Sequence, residues 1–434
     1  MANLAVIGAG ISGCSAAYFA RKYLSDTNVT IYESQDRIGG RILTHNAAGV
    51  NLELGATFFN GFNKTLLSII RAEHLRIAPV ERMDFAVWNG SGLVFRSSKK
   101  PFATSTKLLA KYNLSVARAL VLVRKAKAQI SKLYEEERRN PGDIGKIFEA
   151  TGLDKWHKKA LSKILGDSSV GQAFIDEIVT PITRIIYSQN ADIGGFAGIS
   201  SLIGVYSGAT YRLAEGNGAM PVYLAKTSNA TIKLNQKVDK IEKMPGGAYR
   251  VCTGKDRGIF DSVIVAAPLD LADIEFDGLS APGWNPQPYQ SVYRKVMRGI
   301  LDSNYFSLGN SANPPAIVLT TKDAGPITHY GIQKASGGES LVTISSPEPL
   351  NHNVFDGVFK NDGVTVLEHC WKTAYPVFKP IAELPLTRID KRLMYVSAIE
   401  PSISSMETSA LSALNAARML RQEMTKHGSE DSSR

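Results

Sequence analysis

The sequence contains few cysteines and no long apolar run. Cys14, Cys252 and Cys370 are its only cysteines in 434 residues, too few and too scattered for a disulfide framework or a cysteine-based metal site. No apolar stretch approaches the ~20 residues of a membrane-spanning helix. The first predicted strand begins at about Asn3, which leaves no room for a signal peptide. We therefore expect an intracellular protein, or a vacuolar or lysosomal one whose leader has been removed.

Several catalytic patterns are missing as well. The chain has no Ser-His-Asp order, no H-E-x-x-H and no paired-carboxylate motif, and no two histidines have the spacing of metal ligands. We predict no metal site, and we expect His329 and His352 to be structural or surface residues. Glu368, His369 and Cys370 adjoin one another in a segment that we interpret as helical, where neighbours do not share a face. We assign no function to these three residues.

Basic charge is concentrated in one segment. The net charge is +10, and residues 96–139 contain twelve Lys or Arg against three Glu, a local charge of +9. Within it, apolar residues recur at helical spacing with basic residues on the other faces. A solvated helix face is the more ordinary interpretation, and peripheral contact with an anionic membrane is the alternative. Nucleic-acid binding is not expected, since no recognisable nucleic-acid module accompanies the basic residues.

The sharpest local signal is a glycine-rich loop near the start. A short apolar run leads into Gly8, Gly10 and Gly13, spaced G-x-G-x-x-G, and a helix is predicted to follow. Gly8 permits a tight turn, Gly10 lets the backbone approach a pyrophosphate, and Gly13 permits close packing of helix on strand. A second strand, NVTIYE, ends at Glu33, twenty residues after Gly13, where the fingerprint requires a carboxylate for the adenosine ribose. The spacing predicts a dinucleotide-binding site.

A second glycine turn favours FAD over NAD. Gly39, Gly40 and Arg41 follow the second strand within SQDRIGGRILT, and a guanidinium beside a flexible turn suits a second diphosphate contact. An NAD domain needs no such contact here. The run resembles the GGRxxT segment of the flavin-dependent amine oxidase superfamily, which implies FAD bound in an extended pose.

Several further segments extend this likeness across nearly the whole chain. FIDEIVTPITRIIYSQNADIGGFAGISSL, LAEGNGAMPVYLAK, AIVLTT, YPVFKP and SMETSALSALNAA, in this order, together resemble the prenylcysteine oxidase family, also called prenylcysteine lyases. The likeness runs from about Asn3 to about Arg421. It implies noncovalent FAD and cleavage of the thioether of farnesyl- or geranylgeranyl-cysteine, as in the breakdown of prenylated proteins. The products would be prenyl aldehyde, cysteine and hydrogen peroxide, formed by hydride transfer from prenyl C1 to flavin N5 and addition of water.

The resemblance also assigns cofactor-binding residues. Gly55, Ala56 and Thr57 match the segment that lines the flavin, and Val238 matches the position whose backbone meets the adenine. Met406 and Glu407 open the last helix, whose first N–H groups would point at flavin N1 and O2; Glu407 also fits a capping box in SSME. With the motif residues, the predicted set is Gly8, Gly10, Gly13, Glu33, Gly40, Arg41, Gly55, Ala56, Thr57, Val238, Met406 and Glu407.

The predicted fold class is α/β, with a discontinuous Rossmann-type FAD-binding domain of the amine oxidase, glutathione-reductase-like type and an inserted α+β substrate domain. Asn89-Gly90, within an alternating pattern, predicts a hairpin in the insertion. A lipophilic small molecule would bind where the domains meet. We expect the FAD-binding domain to comprise 1–82, 205–270 and 386–425, the substrate domain 83–204 and 271–385, and a flexible tail 426–434.

Two other functions stay open. One is a diverged FAD-dependent oxidase of another lipophilic metabolite or an amine, in a biosynthetic pathway. The other is a non-catalytic flavin-bearing protein that binds a lipid. The strand before the last helix, MYVSAIEPSISS, departs from the pattern of the prenylcysteine oxidase family, and the sequence does not fix the oligomeric state.

Overall fold

The computed structural model describes residues 1–24, 26–81, 83–98, 100–206, 208–280, 286–309, 313–334 and 340–431. Its elements are numbered below in chain order. In the part of the chain so described, no helix combines the length and apolar character needed to cross a membrane.

The amino-terminal motif folds as its sequence predicts. Strand β1 (Ala2–Ile7) leads through the glycine loop into helix α1 (Ile11–Tyr23), and strand β2 (Thr27–Tyr32) returns parallel to β1. Buried apolar residues on β1 and the all-buried central stretch of α1 explain why this unit packs tightly. Parallel strands joined by a helix are the unit of dinucleotide-binding folds.

Distant parts of the chain complete the sheet. Strands β10, β2, β1, β14 and β22 run parallel, and β21 pairs antiparallel at the edge. Helix α1 packs against both α11 and α13. The added elements are β10 (Thr231–Lys233), β14 (Ser262–Val265), β21 (Arg388–Asp390), β22 (Leu393–Tyr395), α11 (Ala219–Thr227) and α13 (Met406–Asp431).

A second, seven-stranded sheet has the order β20-β16-β19-β18-β17-β7-β8. All its pairs are antiparallel except β17 with β7. The hairpin predicted around Asn89-Gly90 is confirmed as β7 and β8. The strands are β7 (Phe85–Trp88), β8 (Leu93–Arg96), β16 (Tyr289–Arg298), β17 (Ile317–Thr320), β18 (His329–Lys334), β19 (Ser340–Ser346) and β20 (Val364–Pro376).

Eight helices between β8 and residue 207 pack together and share one apolar core with parts of both sheets. A π-helical turn at Ile175–Val179 joins α8 to α9. These helices are α3 (Pro101–Tyr112), α4 (Leu114–Arg139), α5 (Ile144–Thr151), α6 (Asp154–His157), α7 (Leu161–Asp167), α8 (Gln172–Phe174), α9 (Thr180–Tyr187) and α10 (Gly195–Tyr206).

Smaller elements complete the two halves. Three further sheets have the orders β13-β12-β11-β15, β5-β9-β6 and β3-β4. The elements are β3 (Thr44–Ala47), β4 (Val50–Glu53), β5 (Phe59–Asn60), α2 (Lys64–Ala72), β6 (Ile77–Val80), β9 (Thr210–Leu213), β11 (Val238–Lys243), β12 (Tyr249–Thr253), β13 (Arg257–Phe260), α12 (Leu269–Ala272) and β15 (Glu275–Asp277).

The predicted division of the chain remains a proposal, and the strands support it. The six-stranded sheet draws only on the segments assigned to cofactor binding, and the seven-stranded sheet only on the insertions. Strand β15 is the exception, because it lies in the second insertion yet pairs with β11. The last helix extends past Thr425 to Asp431, into the segment expected as a tail; residues 432–434 lie outside the described chain.

The interpretation of Glu368, His369 and Cys370 as helical is wrong. They lie in β20, paired with Lys295, Arg294 and Tyr293 of β16. Successive side chains of a strand point to opposite faces, so His369 and Trp371 lie on one face and Cys370 on the other.

Candidate functional site

A cavity of about 720 Å³ runs along the carboxyl ends of β1, β2 and β14. This is the edge where open α/β sheets bind ligands, and the volume lies within the range of ligand sites. We call it the groove. The predicted residues that line it are Gly8, Gly10, Glu33, Gly40, Arg41, Gly55, Ala56, Val238 and Met406.

The glycine loop packs so closely on the start of α1 that it leaves no space for side chains there. Gly8 has φ +103°, a conformation that favours glycine. A Cβ at Gly13 would lie 1.8 Å from the carbonyl oxygen of Gly8. Gly13 therefore does not line the groove but permits α1 to pack on the loop, as its position predicts. Gly10 is the N-cap of α1 and supplies no side-chain cap.

The second glycine turn packs directly on the first. Gly39 forms a parallel bridge with Gly10, and a Cβ at Gly40 would lie 3.0 Å from Gly10 Cα. Both turns face the groove beside the first turn of α1, which carries no acidic residue. The first N–H groups of a helix have no partner within it. The region therefore fits an anionic diphosphate.

Glu33 is buried at the end of β2, with 7% of its surface exposed. Its Oε2 accepts a hydrogen bond from the backbone N–H of Ala9 at 2.7 Å, and its Oε1 accepts one from Gln35 N–H at 2.9 Å. The Ser34 hydroxyl also donates to Oε1, at 3.2 Å. A carboxylate has about four acceptor sites, so Glu33 can hold the loop and still accept a hydroxyl proton from a ribose.

Arg41 lies in the groove but already has a charged partner. Its Nη1 is 2.5 Å from Oε1 of the buried Glu400, and it donates to the carbonyl of Ala374 at 3.0 Å. Burial alone would lower the pKa of Arg41, but the Glu400 carboxylate holds it above its ordinary value. The guanidinium stays charged beside the groove, and its contact with a diphosphate stays a prediction.

The capping box predicted at the start of α13 is displaced by one residue. Ser405 Oγ accepts the backbone N–H of Thr408 at 3.1 Å, so Ser405 is the capping residue. The Glu407 carboxylate accepts the N–H groups of Thr65 and Leu66, at 2.8 and 2.9 Å. The Glu407 side chain is thus buried where it caps α2, a contact that the sequence did not predict. This side chain does not line the groove.

A second cavity, of about 360 Å³, adjoins the groove. We call it the chamber. Its walls are mostly apolar and come from α2, α4, α9, α10, α13 and one face of the seven-stranded sheet. Of the predicted residues, Thr57 and Glu407 also line it. The residues that line both cavities are Gly55, Ala56, Arg294, Tyr375, Ser404, Ser405 and Met406.

Two ionisable side chains of the seven-stranded sheet, Arg294 and His329, border the chamber. Arg294 Nη1 donates to the carbonyl of Glu53 at 2.8 Å, and burial lowers the pKa of Arg294. Burial and the nearby Arg294 cation lower the pKa of His329 to about 3. His329 is therefore neutral and borders the chamber rather than the solvent.

Strand β20 supplies groove residues that sequence reasoning missed. Trp371, Thr373, Ala374 and Tyr375 line the groove, and the Trp371 indole N–H donates to the carbonyl of Leu54 at 2.6 Å. The run VTVLEHCWKTAYP is rich in β-branched and aromatic residues, which favour strands, and that signal would have identified the strand. Among the described residues, no group of three potential metal ligands occurs.

The groove as a whole fits an extended dinucleotide. It runs from Val238, past Glu33 and the glycine turns, to Trp371 and the start of α13. Backbone N–H groups and glycines surround its middle, where a diphosphate would lie, and an aromatic ring and a helix N-terminus border its far end.

Comparisons with known proteins agree with this geometry. A family model described as "Prenylcysteine lyase" matches residues 95–432, and one described as "NAD(P)-binding Rossmann-like domain" matches residues 6–72. The chain is 28% identical to a farnesylcysteine lyase of Arabidopsis thaliana, over 96% of this chain and 88% of that protein. It is 26% identical to human prenylcysteine oxidase 1, over 98% of this chain and 90% of that protein.

Solved structures show the same fold at low identity. Cyclohexylamine oxidase from Brevibacterium oxydans superposes with a TM-score of 0.67 at 14% identity, covering 98% of this chain and 99% of that one. A putrescine oxidase gives 0.65 at 13% identity, covering 96% and 98%. The predicted fold class and the resemblance read from the motifs are confirmed.

Proposed function

The chain belongs to the prenylcysteine lyase family, and from that premise we propose that it is an FAD-dependent thioether oxidase. Its substrate class is prenylcysteine, a cysteine whose sulfur carries a farnesyl or geranylgeranyl group. Prenylcysteine, dioxygen and water give prenyl aldehyde, cysteine and hydrogen peroxide. When bound, FAD supplies the redox chemistry by accepting the hydride from prenyl C1 and passing two electrons to dioxygen.

The chain's own residues would bind and orient the cofactor. The glycine turns, the first turn of α1 and Arg41 would hold the diphosphate, Glu33 the ribose and the backbone at Val238 the adenine. The N-terminus of α13, at Met406, would meet the flavin, where a helix dipole favours negative charge by about 0.3–1 kcal/mol at exposed sites. Only the backbone of Glu407 can take part, because its carboxylate caps α2.

One observation carries the substrate assignment: an apolar chamber opens onto the groove at the residues that start α13. A prenyl tail needs a dry enclosure, and burial of each CH₂ contributes about 0.8 kcal/mol. The thioether carbon at the head of such a tail would then lie at the junction of chamber and groove.

The charges of the chamber disfavour an amine substrate. Among the described residues, the two carboxylates that line it already accept hydrogen bonds, Glu53 from Thr44 and Asn217, and Glu407 at α2. The cation of Arg294 borders the same space and would repel an alkylammonium ion. One observation favours the amine alternative. Tyr187 and Tyr375, in edge-to-face contact at 5.1 Å, are an aromatic pair in the chamber wall that could hold an amine substrate.

The test compares substrates on purified protein. We expect yellow holoprotein that releases peroxide and farnesal from S-farnesylcysteine and none from cyclohexylamine or putrescine. Turnover of the amines alone would replace this proposal by an amine oxidase. Holoprotein whose flavin is not reduced anaerobically by any of the three would replace it by a lipid-binding flavoprotein.

We further propose that α3 and α4 contact anionic membranes. Phe102, Leu114 and Val121 are 81, 63 and 61% exposed, and exposed Arg118 and Lys125 follow Leu114 and Val121 at helical spacing. Apolar residues among cations suit an interfacial helix. The inner face of α4 lines the chamber, so the same helix would connect membrane and substrate site.

Vesicle binding tests this surface. We expect sedimentation with phosphatidylcholine vesicles containing phosphatidylserine, weakened by salt and by removal of phosphatidylserine. Replacing Phe102 and Leu114 by Ser removes roughly 1.5–3 kcal/mol of burial for each residue and should weaken binding more than tenfold. Ile259→Ser, at a site 56% exposed on β13, is the matched control. Equal loss in the control, or binding that ignores lipid charge, would contradict the proposal.

A further inference from the structure

A polar row crosses the apolar face of the seven-stranded sheet. Arg294 of β16 pairs in register with Ser345 of β19, and Ser345 pairs with His329 of β18. Residues directly opposite one another on neighbouring strands share a face. Arg294 and His329 line the chamber, so the row is on the face that forms its floor. The next strand beyond β18 is β17, whose Leu319 pairs with His329. The polar row therefore ends at His329.

The row contains polar atoms without partners. Among the described residues, Arg294 Nε and Ser345 Oγ are buried and make no hydrogen bond. Ser345 and His329 are 2 and 8% exposed. No acidic side chain forms an ion pair with Arg294 in the described part of the chain, whereas Arg41 nearby has Glu400. An unsatisfied buried polar group costs about 1–3 kcal/mol, and more when charged, so a carboxylate that met the Arg294 guanidinium from the chamber would be stabilising.

The orientation of His329 follows from its neighbour. The Thr328 hydroxyl donates to the carbonyl of Ser345 and lies 3.1 Å from His329 Nδ1. When the Thr328 hydroxyl proton is directed at the Ser345 carbonyl, Nδ1–H donates to the Thr328 oxygen and Nε2 carries the free lone pair. In that tautomer the row offers the chamber a cation at Arg294 and a neutral acceptor at His329.

The row also lies where the head of an amphiphile would be. Arg294 borders both cavities. Adjacent strands are about 4.8 Å apart, so the backbones of Arg294 and His329 lie roughly 10 Å apart, which leaves room for an amino-acid head group with a hydrogen bond on either side. A tail that fills the apolar chamber leaves its polar end at this junction.

We propose that Arg294 and His329, on either side of the buried Ser345, form the site for the amino-acid head group of the thioether, an inference that rests on the proposed function. Arg294 binds the carboxylate, and His329 Nε2 accepts a hydrogen bond from the ammonium group. These are binding residues and transfer no group. The site selects a free cysteine head over a simple amine, because the carboxylate compensates the buried guanidinium.

Binding of unreactive analogues tests the site separately from turnover. S-dodecylcysteine keeps head and tail but lacks the allylic double bond. S-dodecylcysteamine lacks the carboxylate, and 3-(dodecylthio)propionic acid lacks the amine. Dissociation constants are measured on holoprotein by the change in flavin absorbance, for the wild type and for Arg294→Gln, Arg294→Lys and His329→Phe. Arg298→Gln, an exposed arginine on the same strand, is the matched control.

The wild type should bind S-dodecylcysteine about 50-fold more tightly than S-dodecylcysteamine, the size of one charged hydrogen bond. Arg294→Gln should reduce this ratio to below about threefold, with Arg294→Lys between, when the proteins are compared at equal flavin occupancy, while Arg298→Gln keeps the wild-type ratio. His329→Phe should remove preference for the amine and leave preference for the carboxylate. The proposal would be overturned if the wild type bound S-dodecylcysteine and S-dodecylcysteamine equally well, a result that does not depend on any variant folding. An unchanged ratio in Arg294→Gln would also overturn it. If the same holoprotein shows these ratios but releases no peroxide from S-farnesylcysteine, the proposed function fails and the head-group site stands.

Discussion

Seven residues line both the groove and the chamber, but the walls of the two cavities consist of different parts of the chain. Around the middle of the groove the walls are largely backbone: two glycine turns in contact and a helix start. Around the chamber the walls are mainly side chains of five helices and a sheet. A wall of backbone tolerates no added atoms, whereas a wall of apolar side chains accepts exchanges that conserve volume.

This difference explains why one cavity has a sequence motif and the other has none. The groove requires glycine at fixed positions, because a single Cβ would collide with backbone. The chamber requires only enclosure, which many combinations of Leu, Ile and Phe provide. The predictions below separate the two cavities experimentally.

The largest effect is expected at Gly13. In Gly13→Ala the new Cβ would lie 1.8 Å from Gly8 O and must displace backbone, so we expect colourless protein that retains no FAD after gel filtration. Gly166→Ala, in helix α7 with open space around it, should retain FAD. Alanine is normally about 1 kcal/mol better than glycine within a helix. Retention of yellow colour by Gly13→Ala would refute the account of the loop.

Filling the chamber should reduce turnover and leave the cofactor alone. A Cβ at Gly204 meets only Phe58 Cε2, at 4.0 Å, so Gly204→Leu should project into the chamber and displace about three tail carbons. At about 0.8 kcal/mol per CH₂ this is roughly a 50-fold loss of kcat/KM for S-farnesylcysteine. Gly204→Ala is the graded control, with a smaller loss. Equal losses of FAD and of activity would show that the cavities are not independent.

Glu33→Gln tests the adenosine end of the groove. Glutamine keeps one acceptor for the loop but loses the charge, so affinity for FAD should fall about tenfold, near the lower range for a charged hydrogen bond. Affinity for FMN, which lacks adenosine, should change less. Fluorescence titration of apoprotein measures both, and Asp36→Asn, at an exposed neighbour, is the control. An equal fall for both flavins would mean that Glu33 serves the loop only.

The smallest effect concerns pH and the helical wall of the chamber. His157 stacks on Phe148, which packs edge-to-face on Phe196 in that wall. Burial lowers the pKa of His157 to about 4, from 6.5. Between these values the unfolded chain binds more protons, so stability is full above pH 6.5 and falls as pH decreases.

For His157 this loss amounts to about 1–2 kcal/mol at pH 5, or a few °C in melting temperature. His157→Phe should show a correspondingly smaller decrease between pH 7.5 and 5, measured by circular dichroism of holoprotein. His329 is present in both the wild type and His157→Phe, so it contributes equally to the pH dependence of stability in the two proteins. His45→Gln, at an exposed histidine, should follow the wild type; identical slopes in wild type and His157→Phe would contradict the assignment.

The sequence predicted what depends on local geometry. Strands β1 and β2, helix α1 and the hairpin β7–β8 are confirmed, because glycine spacing and the Asn89-Gly90 turn act over a few residues. Trp371 and Tyr375 were missed because the alternation of β20 is broken by two irregularities in its pairing with β16. Whether Arg41, Val238 and Gly55 touch the cofactor remains a prediction.

Other features depend on contacts that no local pattern encodes. Glu407 caps a helix whose first residues lie 342 and 341 positions earlier, and Glu400 pairs with Arg41 across most of the chain. The row of Arg294, Ser345 and His329 exists only through strand register. Pairings of this kind follow from topology, which motif reasoning does not give.

The six-stranded sheet takes its strands from both ends and the middle of the chain, and this has a consequence for biosynthesis. Residues 2–32 emerge from the ribosome well before β22 and the start of α13 are made. At about 5–20 residues per second, translation of the chain takes roughly 20–90 seconds. The nascent amino-terminal unit must therefore wait, incomplete, for these neighbours, and the groove has its full set of walls only once β22 and the start of α13 have been made.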